Sequence, residues 1–67
     1  MANVAKYNRE EVIHKAMLLF WQKGFHATST RDLQQAVDMR PGSIYAAFGG
    51  KESMYKEALN YYLQVVS

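Results

Sequence analysis

An all-helical fold is what this sequence predicts, on three observations. Apolar residues recur at three- and four-residue spacing, no stretch alternates as a strand does, and only one proline and four glycines interrupt 67 residues. The expected arrangement is a three-helix, homeodomain-like helix-turn-helix unit over residues 9–50, followed by a fourth helix over 51–67. Residues 1–8 carry no sustained periodicity and read as a flexible arm. A content of 49% hydrophobic and 21% charged residues is that of an ordinary globular chain. A chain of this size hides only about 60% of its unfolded surface, so the core must be small.

The first helix is expected from Arg9 to Lys23. Ile13, Ala16, Met17, Phe20 and Gly24 share one face. Asn8 suits the cap, Glu10 and Glu11 the positive end of the helix dipole, and Lys23 the negative end. Gly24 is then expected to end the helix in the left-handed αL conformation. After the connection Phe25 to Thr28, Ser29 and Asp32 have the spacing of a capping box, with Asp in place of the usual Glu or Gln. The second helix runs from Thr30 to Val37 with Leu33, Ala36 and Val37 inward, and Asp38 tolerates αL after it. Pro41 fits the first turn of a third helix ending at Phe48, with Ile44 and Phe48 inward and Gly49-Gly50 as terminator. The fourth helix begins at Lys51. Its apolar face comprises Met54, Tyr55, Ala58, Leu59, Tyr62, Leu63 and Val66, and it reaches Ser67 without a C-cap, as a cut end would.

Two short helices around the turn 38–40 are the local pattern of a helix-turn-helix, which lays its second helix in the DNA major groove. A formal charge of +2 and a pI near 9.0 permit a polyanionic partner without identifying one. No cysteine is present, which removes disulfides, thiolate metal sites and thiol nucleophiles. No apolar run approaches the roughly 18 residues of a membrane span, and the N-terminus lacks the apolar segment of an export signal. A cytoplasmic protein working at the nucleoid, with no membrane partner, is the expectation.

The stretch VIHKAMLLFWQKGFHATSTRDLQQAVDMRPGSIYAAFGGKESM, residues 12–54, resembles without a gap the DNA-binding domain of TetR/AcrR-type bacterial transcription regulators. The anchors are Ala16, Leu19-Phe20, Gly24-Phe25, Ala27-Thr28-Ser29, Arg31-Asp32-Leu33, Gly42-Ser43-Ile44-Tyr45, Phe48 and Lys51-Glu52. The resemblance implies a regulator, expected to be a repressor, that binds double-stranded operator DNA as a homodimer and is released by a small-molecule effector. It also implies that the effector and dimer functions belong to a C-terminal domain absent from this chain. Tyr61, Tyr62, Leu63, Val65 and Val66 would then be a stub which that domain covers; packing on the first helix is the plainer alternative.

Thr28, Ser29 and Thr30 stand where free amides and the dipole favour a phosphate, although capping is the main task expected of Ser29. Arg31, one residue on, is expected to face the bases at a guanine edge, with a phosphate or plain solvation as the alternatives. The resemblance implies DNA-facing roles for Arg40, Pro41, Gly42, Ser43, Tyr45, Ala46 and Ala47, with Tyr45 and Ala47 at phosphates and the others toward bases. Ser43 and a thymine-methyl contact by Ala46 carry weak base information. Lys51, beside a glycine pair at a helix start, is the strongest phosphate candidate. Three departures stand out: Arg40 replaces a serine cap, Asp38 a turn glycine, and Gln34 a small residue between the two helices.

No enzyme reading survives. His14 and His26 lack neighbours at metal-ligand spacing, Ser53-Met54-Tyr55-Lys56 lacks the companions of a catalytic S-x-x-K, and Gly50-Lys51 is not a phosphate loop. Neither a cofactor nor a metal is expected. The rival from another class is a small protein-interaction module docking through Trp21 and the Tyr61–Val66 face.

Overall fold

The computed structural model describes residues 8–66, so residues 1–7 of the expected 1–8 arm, and Ser67, lie outside the described residues, while Asn8 belongs to the start of the first helix and not to an arm. Four helices follow in order: α1 (Arg9–Lys23), α2 (Thr30–Val37), α3 (Pro41–Phe48) and α4 (Lys51–Val66). The first three have the bounds that capping and periodicity predict. Asn8 caps α1 by accepting from the Glu11 amide at 3.0 Å. Asp38 ends α2 in αL at φ 56°, ψ 50°, the one positive-φ non-glycine residue among those described.

Gly24 corrects its expectation. It adopts φ 88°, ψ 153°, not αL, so the chain leaves α1 extended rather than curling back. This region is open essentially to glycine alone, and it turns Phe25 back to stack on Phe20, ring centroids 6.0 Å apart.

One core joins the four helices. α1 supplies Val12, Ile13, Ala16, Met17 and Phe20; α2 supplies Leu33 and Val37; α3 supplies Ile44 and Phe48; α4 supplies Met54 and Ala58. The contact of α1 with α4 is the most extensive, and α2 and α3 lean on that pair. The fourth helix divides more sharply than its apolar stripe predicts. Its first half buries Met54 and Ala58, and Tyr61, not Tyr62, packs on the core while its hydroxyl lies 3.0 Å from His14 Nδ1. Tyr62, Leu63, Val65 and Val66 remain exposed. Trp21 is 44% exposed and packs edge-on with Tyr55 and Tyr62, while Tyr61, part of the expected docking face, is half-buried against the core. Among the described residues no helix is long and apolar enough to cross a membrane.

Candidate nucleic-acid interface

The two short helices are built to different standards at their starts. At α2 the Ser29 hydroxyl accepts from the Asp32 amide and the Asp32 carboxylate accepts from the Ser29 amide, each at 3.0 Å. Lys23 Nζ donates to the same carboxylate at 2.8 Å. The Lys23 hydrogen bond and then the Ser29 backbone amide hold Asp32 down to a pKa of about 2, so a full negative charge stands in the first turn. That charge complements the dipole and competes with a phosphate for the same place.

Nothing comparable occurs at α3. Arg40 occupies the cap position without a side-chain hydrogen bond, Pro41 follows, and the first turn holds no acidic residue. Pro41 has no N–H, which leaves one amide fewer to satisfy. Ile44 and Phe48 anchor the inner face at 1% and 6% exposure. Arg40, Pro41, Gly42, Ser43, Tyr45 and Ala46 are exposed together on the other side, Tyr45 at 72%. Gly42 has ordinary helical backbone, and a Cβ added there would meet nothing within 4 Å. The fold itself therefore does not require glycine at this position.

Three phosphate assignments need correction or revision. Thr28 is completely buried, its hydroxyl donating to the Gly24 carbonyl at 2.7 Å, so its side chain braces the α1–α2 connection and presents nothing to a ligand. Ala47 is half-buried against the core, with its carbonyl accepting from Arg9, and lies off the exposed face. Lys51 is half-buried rather than free. Its ammonium donates to the carbonyls of Phe25 and Thr28 at 2.9 Å each and lies 4.2 Å from the Phe25 ring centroid. Two of its three protons are thereby engaged in pinning α4 to the connection before α2. Ser29, Thr30 and Arg31 are exposed at the α2 start, on the same helix-turn-helix as the α3 face. Gln34, Gln35, Asp38, Met39 and Arg40 line a shallow depression at the turn.

Arg9 is the residue that sequence reasoning missed. Its guanidinium grips Glu57 in α4 and the end of α3 (below), partners 38 and 48 residues away, which no local pattern signals. Among the described residues no group of three or more His, Cys, Asp or Glu could hold a metal.

The sequence profile described as "Bacterial regulatory proteins, tetR family" matches residues 12–58. The chain is 39% identical over 57 residues to the "HTH-type transcriptional repressor ComR" of Escherichia coli (strain K12), covering 85% of this chain and 27% of the relative. It is 38% identical over 58 residues to the repressor BdcR of the same organism, covering 87% and 29%. With the repressor KstR2 of Rhodococcus jostii (strain RHA1) it shares 40% identity over 55 residues, covering 82% and 27%. The chain thus spans under a third of the length of these curated relatives. No solved structure matches it.

Proposed function

Since the chain belongs to the tetR family of bacterial regulatory proteins, we propose that it is the DNA-reading end of a transcriptional repressor, with α3 as the helix that enters the major groove. The observation that carries this reading is the two-sided character of α3. Ile44 and Phe48 fasten one side, while the small and polar residues Gly42, Ser43 and Ala46, flanked by Arg40 and Tyr45, are exposed on the other. A groove-reading helix needs small side chains where its backbone nears the bases and donors at its edges for phosphates.

Arg40 and Ser43 face base edges, with Arg40 as the guanidinium on the α3 face capable of bidentate contact to guanine. Pro41, Gly42 and Ala46 supply close approach. Tyr45, Thr30 and Arg31 hold phosphates, and the uncommitted proton of Lys51 adds one charge-assisted contact from the start of α4. The start of α2 takes a lesser part, because Asp32 already fills it. In the full-length protein two such units act as a homodimer on a roughly palindromic operator, with half-sites one helical turn or more apart. A small-molecule effector acts through the portion of the protein beyond this chain, in the cytoplasm.

Binding-site selection from a randomised duplex pool, repeated across salt concentrations, tests the reading. A defined half-site and a steep loss of affinity with salt are expected. Salt-insensitive association, with no sequence enriched, would instead favour docking through the apolar end of α4.

A further inference from the structure

We propose that Arg9 is a positioning residue for DNA reading, a three-way clamp that sets the pose of α3 on α1 and α4 without touching DNA. The inference rests on α3 being the reading helix. The guanidinium makes a forked contact with Glu57 in α4, Nε to Oε2 and Nη2 to Oε1 at 2.7 Å each. Its remaining nitrogen, Nη1, donates to the Ala47 carbonyl at 2.9 Å. That carbonyl belongs to the last turn of α3, where helix carbonyls have no partner within the helix. The guanidinium carbon also lies 4.4 Å from the centroid of the Phe48 ring, the inner anchor of α3. One side chain at the first residue of α1 therefore holds the C-terminal end of α3 by its backbone and its anchor ring, and ties both to α4.

The pair is partly open to water, with Arg9 and Glu57 side chains 49% and 35% exposed. Exposed ion pairs add little to overall stability. The clamp's consequence is geometric. A hydrogen bond to a base edge weakens steeply once distance or angle drifts, whereas attraction to phosphates changes slowly over the same displacement. Arg9 fits this task better than lysine, because its planar fork gives each Glu57 oxygen its own nitrogen and leaves a third for the Ala47 carbonyl. At the other end, α3 is joined to α2 by the three-residue turn 38–40, so the two ends together define its pose.

The test is site selection from the randomised duplex pool with the wild-type chain, Arg9→Lys, Arg9→Ala and Glu57→Gln. Affinity for the selected site is then compared with affinity for one scrambled duplex across salt. Each variant's preference for its site over the scrambled duplex should fall, by about tenfold for Arg9→Ala, the equivalent of one lost base contact. Affinity for the scrambled duplex and its salt slope should stay unchanged. Arg9→Lys keeps the charge and Glu57→Gln keeps the shape, so both report even if Arg9→Ala unfolds. A salt slope flatter by about one unit, with both duplexes weakened alike, would make Arg9 a phosphate contact and overturn the inference. Undiminished preference in Arg9→Lys and Glu57→Gln would overturn it equally. A wild-type chain that selects no site would defeat the reading of α3 itself.

Discussion

α2 and α3 are both eight residues long, share one turn, and end in left-handed residues, yet they begin in opposite ways. α2 is completed from within by Ser29, Asp32 and Lys23. α3 begins with an arginine that caps nothing and a proline that needs no cap. The difference is one of local completion: the start of α2 has its amides and dipole satisfied by its own side chains, and the start of α3 leaves an exposed cation without a capping role.

The largest effect should come from the floor the two helices share. Leu33 is fully buried beneath them. Leu33→Ala should cost about 2–5 kcal/mol, against a total stability of roughly 3–10 kcal/mol for a chain of this length. Urea unfolding followed by circular dichroism should therefore find the midpoint moved far toward zero urea, and a loss below about 1 kcal/mol would mean the core is not the support described.

The two starts can then be compared directly. Ser29→Ala should lower stability by about 1 kcal/mol. Ser43→Ala, on the exposed face of α3, should change it by less than about 0.5 kcal/mol while altering DNA affinity. Equal losses in urea would erase the distinction between the helices.

Adding what α3 lacks gives a smaller effect of opposite sign. Arg40→Ser should raise stability by a few tenths of a kcal/mol, up to about 1, and broaden the selected DNA sequence. An unchanged sequence profile with uniformly weaker binding would move Arg40 to a phosphate.

The smallest effect is in pH. Asp32 titrates near 2 in the folded chain against an ordinary 3.8, so the unfolded chain binds the proton first as pH falls. Its stabilising contribution is complete above about pH 5 and disappears as pH drops toward 2. The stability gap between wild type and Asp32→Asn should narrow over that window. A gap constant down to pH 2 would show that the carboxylate's charge contributes nothing.

What was legible in the sequence was local. Caps, dipole charges and three- or four-residue spacing act over one or two turns, and Asn8, Ser29, Asp38 and Pro41 behave accordingly. Contacts between helices were not legible. Thr28 looks like another hydroxyl beside a capping serine until the fold closes over it. Lys51 looks free until the carbonyls of Phe25 and Thr28 arrive beside it. Arg9 and Glu57 are 48 residues apart, and His14 and Tyr61 are 47. The exposed face of α3 was legible in outline because it needed only the phase set by Ile44 and Phe48. Ala47 fell on the wrong side of that outline, since its position depends on how α3 leans toward α1 and α4.

Amide chemical-shift mapping during titration of a duplex carrying the selected site most directly tests whether the uncompleted helix is the one that reads DNA. Perturbations should centre on residues 40–46, extend to 29–31, and leave 62–66 at their free positions. Shifts concentrated at 62–66, with 40–46 unmoved, would contradict the account.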